Sequence, residues 1–362
     1  MTQKALLIGI NTAGTGREKS MDSLNELAML SETAGAENAY KIIKNIKKID
    51  PAYYLSKGML DEIKNAAVSE NADIVIIDAS LSPAQERNLS EYFDLNVIDR
   101  TRLILDIFAV HARTAESRHQ VELAMMNYLM PRLKGFGTML SRTGAGIGTR
   151  GPGETKLETD RRKIRQKITH IKEKLKLSEK TRLLHRIGRG KRGLLTAAIA
   201  GYTNSGKTTL MKALTGKGDP GEDKLFATLG TKTASIYDQV RRKKVIISDT
   251  VGFIQNLPLF LVESFKATLE ETVNSALLIH VIDPLQADAE NKSEEVMKIL
   301  GEIGEGGKNI ITVLNKIDLI SEDQAFFLKA KYERLTGKPV IAVSAKTGKN
   351  LNLLKEKIFE SL

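Results

Sequence analysis

A glycine-rich segment at residues 201–208 has the spacing with the clearest chemical meaning in this chain of 362 residues. It reads Gly-Tyr-Thr-Asn-Ser-Gly-Lys-Thr, and its glycines would let the backbone wrap closely around a phosphate. The Lys207 ammonium could reach the β- and γ-phosphates of a nucleotide, and the Thr208 hydroxyl could bind Mg²⁺. An apolar run at 194–200 and a helix-prone run at 207–214 supply the strand, loop and helix that such a site requires. The residues predicted to bind nucleotide here are Asn204, Ser205, Gly206, Lys207, Thr208 and Thr209.

Asp249 and Gly252 extend this predicted phosphate site. Asp249 follows an apolar run at 245–247, so its carboxylate should stand at a strand end and reach Mg²⁺ through a water molecule. Gly252 offers a backbone N–H that can approach a γ-phosphate. Lys207 and Gly252 are therefore predicted to act catalytically on the γ-phosphate, and Thr208 and Asp249 to bind the metal ion.

Two further segments predict that the base is guanine. Asn315, Lys316 and Asp318 follow the apolar run 310–314, and the Asp318 carboxylate could accept hydrogen bonds from guanine N1–H and the 2-amino group. Adenine lacks that amino group and has an acceptor at N1, so it would leave a buried charge unpaired. The remaining predicted contacts follow a strand-like run and offer backbone N–H to guanine O6; they are Ser344, Ala345 and Lys346.

Phe253 occupies the position after Gly252, where many small GTPases place a glutamine that orients the attacking water. Phenylalanine cannot hydrogen-bond water, so unassisted hydrolysis should be slow. The missing group would then come from another residue, a bound ion or a partner. Phe253 could also simply pack inside the segment, and the two interpretations are compatible.

Composition limits the class of protein. Hydrophobic residues make up 41% of the chain, which is enough for two or three domains with their own cores. The sequence contains no cysteine, which excludes disulfides, thiol catalysis and cysteine-based zinc sites. No apolar run approaches the roughly 18 residues needed to span a membrane. We therefore expect a cytoplasmic protein that uses Mg²⁺ brought in with its nucleotide.

The basic charge is concentrated in one part of the chain. Residues 130–192 contain 19 Lys or Arg and 5 Asp or Glu, whereas the rest of the chain contains 36 and 39. The net charge of +11 therefore arises from +14 in this segment and −3 elsewhere. A charge run is often only a solvated helix face, but this concentration favours binding to a polyanion, most commonly nucleic acid.

The first part of the chain, residues 1–112, predicts a parallel α/β domain because strand-like and helix-prone runs alternate. The predicted strands are 4–10, 73–78 and 96–98, and the predicted helices are 21–34, 57–69 and 82–92, with Ser82 as an N-cap. The Asp99-Arg100-Thr101 segment lies at the end of an element, where a ligand contact and simple capping explain it equally well.

Two long helical patterns at 114–133 and 154–186 follow, and their narrow apolar stripes predict an antiparallel two-helix hairpin at 113–192. The segment that joins them is rich in glycine and carries few apolar side chains, so it should not build a core. A flexible loop on a rigid stalk suits folded RNA, and an inert connector is the alternative. The residues predicted to contact RNA are Arg142, Ile147 and Arg150.

The chain resembles the HflX family, the ribosome-associated GTPases of the Obg/HflX branch within the translation-factor class. The resemblance rests on segments spread over nearly the whole chain: 98–101 (IDRT), 104–109 (ILDIFA), 120–124 (QVELA), 146–155 (GIGTRGPGET), 157–162 (LETDRR), 249–254 (DTVGFI) and 265–272 (FKATLEET). It implies a P-loop GTPase domain at 193–362, with a mixed six-stranded sheet and helices on both faces.

The resemblance also implies a function. It predicts GTP hydrolysis to GDP and phosphate, binding to the large ribosomal subunit and its rRNA, and a role in rescue, splitting or quality control of ribosomes. Residues 225–229 match a Phe-Ala-Thr-Leu segment of the family, which makes Thr228 a catalytic residue and Mg²⁺ ligand, with Thr231 as the alternative. In related GTPases with a hydrophobic residue at the Phe253 position, an asparagine at the Asn204 position can help to hold K⁺.

A second hypothesis belongs to a different class. The chain could be a GTP-dependent switch that regulates a protein partner, with its basic helices docking on that protein or on an acidic membrane surface. Selectivity for intact large subunits over generic RNA or acidic vesicles would separate the two. In either case we expect a monomer without a transmembrane segment.

Overall fold

The computed structural model describes residues 3–12, 14, 16–133, 152–191, 193–216, 225–226, 232–255, 258, 260–261, 272, 274–304 and 309–362. The chain divides into two compact units. The first comprises Met1–Val110 and Arg118–Lys176, and the second comprises His111–Ser117 and Leu177–Leu362. The division into three domains at 112 and 192 stays a prediction.

A four-stranded parallel sheet forms the centre of the first unit, as the alternating pattern predicts. Its strands, in spatial order β2-β1-β3-β4, are β1 (Lys4–Thr12), β2 (Glu37–Ile46), β3 (Ile74–Ile77) and β4 (Asn96–Asp99). The surrounding helices are α1 (Arg17–Thr33), α2 (Lys57–Ser69), α3 (Pro83–Phe93) and α4 (Arg100–His111). One face of the sheet packs on α2 and α3 through residues that include Leu6, Ile8, Ile63 and Leu89.

Local chemistry explains where these helices begin. Ser82 caps α3 as predicted, because its hydroxyl accepts from the Gln85 N–H at 3.2 Å and the Gln85 side chain accepts from the Ser82 N–H. At the end of β4, the Asp99 carboxylate accepts from the N–H groups of Arg102 and Leu81. The Asp99 segment therefore has a capping role, which is one of the two explanations that its sequence allows.

Two long helices in the chain run antiparallel, as their stripes predict. They are α5 (Ala115–Arg132) and α6 (Pro152–Lys191). Glu122 near the middle of α5 pairs with Lys167 of α6 at 2.5 Å, and Glu116 near its start pairs with Arg182. Within the α6 stripe, Ile171 is buried. The loop between the helices lies outside the described residues.

A mixed six-stranded sheet organises the second unit, in agreement with the expected fold. In the order β10-β9-β8-β5-β7-β6, the strands are β5 (Leu195–Gly201), β6 (Lys232–Asp238), β7 (Lys243–Asp249), β8 (Leu277–Ile282), β9 (Asn309–Leu314) and β10 (Val340–Ala342). Only β6 runs antiparallel to its neighbour within this described sheet. The sheet carries α7 (Lys207–Thr215), α8 (Ala289–Ile303), α9 (Glu322–Thr336) and α10 (Leu351–Glu360).

Alternation along the strands places helices on both faces of this sheet. Ile199 of β5 packs with Leu210 of α7 and Leu354 of α10, whereas the adjacent Ala200 packs with Val296 of α8. Successive strand residues point to opposite faces, so this division follows directly from the strand period of two. The carboxyl ends of β5, β7, β8 and β9 consequently meet at one edge, where the predicted site residues lie.

Candidate nucleotide site

Two glycines fix the path of the loop that leaves β5. A Cβ atom on Gly201 would lie 2.2 Å from the Val281 carbonyl oxygen, so only glycine allows this close approach between β5 and β8. Gly206 has a φ of +87°, and a Cβ atom there would lie 2.2 Å from Asn315 Nδ2. The loop therefore turns tightly into α7 and lies against the segment that carries Asn315. Its backbone N–H groups lie at the N-terminus of α7, a position that favours the binding of an anion.

The Lys207 side chain lies inside this loop. Its Nζ donates to the Tyr202 carbonyl oxygen at 2.6 Å, which leaves two of its three N–H donors for other acceptors such as phosphate oxygens. Burial lowers the pKa of Lys207 to about 8, against the opposing attraction of Asp249. The negative charge of a bound nucleotide would raise this pKa again and so favour the charged form of Lys207.

Thr208 and Asp249, the two residues predicted to bind the metal ion, lie in contact. The Thr208 hydroxyl donates to Asp249 Oδ2 at 2.8 Å. Asp249 is fully buried at the end of β7. An oxygen-rich pair beside a phosphate loop fits Mg²⁺, which prefers oxygen ligands and is usually bound by few protein groups together with nucleotide phosphates.

Gly252 brings the segment after β7 against the phosphate loop. A Cβ atom on Gly252 would lie 2.8 Å from Thr203 Cγ2 and 2.9 Å from Lys207 Nζ, so no larger residue fits without displacing them. The next residue continues the contact, because the Thr203 N–H donates to the Phe253 carbonyl at 2.7 Å and the Phe253 N–H donates to the Gly201 carbonyl at 3.2 Å. Gly252 thus lies beside Lys207, and the catalytic roles of both residues stay predictions.

The Phe253 side chain points into a hydrophobic cluster rather than toward Lys207. It is buried together with Ala200, Tyr202, Leu278 and Val296. The packing interpretation of Phe253 is therefore correct for this conformation, and it agrees with the absence of a water-orienting glutamine. Asn204, which has a φ of +57°, makes no side-chain hydrogen bond within the described part of the chain, so its amide is available for an ion or nucleotide.

Asn315 joins the two ends of the site. Its Nδ2 donates to the Ser205 carbonyl at 2.9 Å, and its Oδ1 accepts from the Ala345 N–H at 3.0 Å. Ser344 then donates through its hydroxyl to Asp318 Oδ1 at 2.6 Å, which holds an exposed carboxylate at the rim of the pocket. The structure therefore brings together the predicted base-binding residues. The Ala345 N–H donates to Asn315 here, so the hydrogen bond from this N–H to guanine O6 stays a prediction.

Sequence reasoning missed two residues of this site. Asp283, at the end of β8, pairs with Lys316 at 2.9 Å between Oδ2 and Nζ. Gln286 donates to the Thr203 carbonyl of the phosphate loop at 2.9 Å. Asp283 follows an apolar strand just as Asp249 does, so the same rule of strand ends could have found it. Gln286 lies in a loop and has no comparable signal.

Five sequence predictions concern residues outside the described part of the chain. Thr228 and its alternative Thr231 fall in 227–231, and the predicted RNA contacts Arg142, Ile147 and Arg150 fall in 134–150. Their roles stay predictions.

A phosphate loop at the carboxyl end of β5, with the base-binding segments at the ends of β9 and β10, places the second unit among the P-loop GTPases. Three family models match the chain: GTP-binding GTPase N-terminal at 21–109, GTP-binding GTPase Middle Region at 111–189, and 50S ribosome-binding GTPase at 196–316.

Relatives narrow the class further. The GTPase HflX of Caldanaerobacter subterraneus subsp. tengcongensis is 48% identical over 88% of this chain and 73% of its own length. That of Escherichia coli K12 is 43% identical over 84% and 72%, and that of Methanocaldococcus jannaschii is 37% identical over 95% and 83%. The chain belongs to the HflX family of GTPases. It is a GTP-hydrolysing enzyme.

Solved structures agree over the full length. The SsGBP complex with GDP is 28% identical, covers 99% of this chain and 98% of its own, and superposes with a TM-score of 0.55. A GTP-binding protein from Sulfolobus solfataricus in complex with GDP is also 28% identical, with a TM-score of 0.50 over 99% and 98% of the two chains. Among the described residues, no helix is both long and apolar enough to cross a membrane.

Proposed function

We propose that this GTPase acts on the large ribosomal subunit in the cytoplasm, where it contributes to rescue, splitting or quality control of ribosomes. One observation carries the proposal: the whole basic excess of the chain, +14, lies in residues 130–192 rather than around the nucleotide. A basic stalk of this kind suits rRNA, whose phosphates give affinity without requiring a particular sequence. The family model described as a 50S ribosome-binding GTPase supports the choice of subunit.

In the proposed reaction, Lys207 donates to the β- and γ-phosphates while its third donor stays on the Tyr202 carbonyl. Thr208 and Asp249, together with Thr228, would hold Mg²⁺, which neutralises charge on the phosphates when it is bound. Gly252 would donate its N–H to the γ-phosphate. Asn315, Lys316 and Asp318 hold guanine, and Ser344, Ala345 and Lys346 close the pocket around its edge.

Phe253 gives the proposal a requirement for activation. Its side chain is buried in a hydrophobic cluster, so it supplies no hydrogen bond to the attacking water. The subunit, or K⁺ held near Asn204, would supply the missing electrostatic stabilisation. GTP would order the segments around Thr228 and Gly252 for docking, and hydrolysis would release them.

The decisive experiment measures GTP turnover by the purified protein alone, with large subunits and with small subunits, in matched K⁺ and Na⁺ buffers. We expect slow turnover alone and strong stimulation by large subunits only. Replacing Arg142 and Arg150 by alanine should reduce that stimulation and cosedimentation with subunits, while GDP affinity is unchanged. Absence of stimulation in both salts would contradict the proposal and favour a switch that acts on a protein partner or a membrane surface.

A further inference from the structure

The hairpin formed by β6 and β7 presents an exposed basic surface that the nucleotide site does not use. This basic hairpin comprises residues 237–244. Two large hydrophobic side chains of this hairpin are exposed: Tyr237 is 60% exposed and Val240 is 92% exposed. Four consecutive exposed cations complete it: Arg241, Arg242, Lys243 and Lys244. β6 is the last strand of the described sheet, so no described strand pairs with its outer side.

Asp238, the one carboxylate within residues 237–244, accepts hydrogen bonds from the turn of the hairpin. Asp238 Oδ1 accepts from the N–H groups of Val240 at 2.8 Å and Arg241 at 3.0 Å, and Oδ2 accepts from the Arg241 guanidinium at 2.7 Å. The backbone and side-chain hydrogen bonds from Arg241 hold the pKa of Asp238 below its usual value. Asp238 therefore fixes the turn and neutralises Arg241 but not the cations that follow.

The strand register places an aromatic ring next to one of these cations. Tyr237 lies opposite Lys244 in the antiparallel ladder, and the preceding pair, Ile236 and Val245, is buried. Directly opposed residues share a face, and successive pairs alternate between faces, so Tyr237 and Lys244 share the outward face. Within the described chain, Lys244 has no ion pair, and neither have Arg242 and Lys243.

We propose that this basic hairpin is a second RNA-binding surface, which takes a single-stranded or looped segment. An unstacked base would lie on the Tyr237 ring, and the neighbouring phosphates would contact Arg242 and Lys244. Aromatic rings beside cations are the usual means of holding single strands, because every base has a stacking face and every link a negative charge. A duplex hides its bases and would use only the cations.

RNA fits this surface better than an acidic protein segment does. Carboxylates would satisfy the cations but would leave the exposed Tyr237 ring without a stacking partner. The inference rests on the proposed function, since ribosomal RNA supplies the ligand. It gives the GTPase domain an RNA contact of its own, in addition to the contact proposed for the helical hairpin.

The test uses the full chain and a fluorescent single-stranded RNA oligonucleotide, titrated over a range of KCl concentrations. Arg242→Asn combined with Lys244→Gln removes two phosphate contacts, and asparagine tolerates the φ of +52° at position 242. The slope of log K against log salt should fall by about 1.4, at about 0.7 per contact for single strands. Tyr237→Val should weaken binding at least about fivefold, whereas Tyr237→Phe should retain it.

Matched controls remove the same groups elsewhere. Lys298→Gln with Arg334→Gln removes two exposed charges, and Tyr40→Val removes a tyrosine that is 50% exposed in the first unit. Equal effects of hairpin and control variants would overturn the inference. So would polyglutamate competing as well as RNA at equal charge, which would indicate an acidic protein.

GTP turnover with large subunits, measured on the same proteins, separates the inference from the proposed function. If subunits stimulate the wild type while the hairpin variants bind RNA normally, only the inference fails. If subunits do not stimulate the wild type but the hairpin variants lose RNA binding, the ribosomal proposal fails and the RNA-binding surface stands.

Discussion

A single amide group connects the phosphate and base ends of the nucleotide site. Asn315 donates to the phosphate loop at Ser205 and accepts from the base loop at Ala345. Any movement of one loop therefore displaces a buried hydrogen bond of the other, which costs about 1–3 kcal/mol if the bond is not replaced. This explains why an asparagine stands at this position, since it must donate and accept at the same time.

Replacing Asp318 by asparagine should narrow the preference for guanine over adenine nucleotides by about 10- to 150-fold. The amide oxygen can still accept one hydrogen bond, so one bond to a charged acceptor is lost, and such a bond contributes about 1.5–3 kcal/mol. Competition binding with GDP, ADP and XDP checks this, and XDP should gain relative affinity because its 2-oxo group accepts from the asparagine amide. Asp323→Asn, an exposed neighbour in α9, is the matched control. Unchanged selectivity would remove Asp318 from the base site.

His280 should make the second unit sensitive to acid. It is buried in β8, and burial, followed by the nearby Lys207 charge, lowers its pKa from 6.5 to about 4. Between pH 6.5 and 4, His280 is protonated in the unfolded chain but not in the folded chain. The free energy of unfolding is therefore highest above pH 6.5 and falls as the pH drops toward 4. The total loss is about 3 kcal/mol.

Urea unfolding of the second unit at several pH values, followed by hydrogen exchange, would measure this loss. His280→Leu should flatten the dependence between pH 6.5 and 4 relative to the wild type. His170→Gln, which changes an exposed histidine on α6, should leave the dependence as it is. If His280→Leu retained the wild-type slope, other groups would be responsible for the acid sensitivity.

Two helices share the same start signal, which allows a matched test of local stability. Ser82 begins α3 and Ser321 begins α9, and each forms a capping box with the residue three positions later. Ser82→Ala should cost about 1 kcal/mol and speed amide exchange in the first turns of α3 about fivefold. Ser321→Ala should do the same in α9 only. Exchange that accelerates across both helices in either variant would show that the effect is not local.

The positions of helices and strands were predictable where an apolar pattern or a capping residue identifies them. α6 and β5 lie where their apolar patterns predict a helix and a strand, and Ser82 marks the start of α3 correctly. β2 was missed because it is an edge strand in which Ile46 is the only buried residue. Its sequence therefore lacks the continuous apolar run that predicts a buried strand. α4 was missed because it follows β4 without any turn residue.

The phosphate and base residues were predictable because their spacing reflects chemistry within one segment. Contacts between segments were not. Gln286 reaches the phosphate loop from 83 positions away, and Phe253 bonds to it through backbone atoms that carry no residue signature. Tertiary packing decides such contacts, and a single sequence does not record it.

Across the whole chain, chemistry and charge are separated. The nucleotide site lies outside the segment that carries the basic excess, because residues 130–192 have a net charge of +14 and the rest of the chain has −3. Exposed cations on α6 without an ion pair in the described chain include Arg162, Lys172 and Lys176. Long-range attraction to rRNA is therefore governed by a segment that takes no part in hydrolysis, so binding and turnover should be separable by mutation.

Changing Arg162, Lys172 and Lys176 to glutamine should lower the slope of log K against log salt for large subunits by about 2–3, at about 0.9 per phosphate contact on duplex nucleic acid. Turnover without subunits should be unchanged, because none of these side chains belongs to the nucleotide site. The matched control changes Lys47, Lys48 and Lys57, three exposed lysines of the first unit, to glutamine. Both variants lose the same charge, so equal slopes would show that net charge alone drives binding, whereas a loss confined to the α6 variant would locate the contact on the helical hairpin.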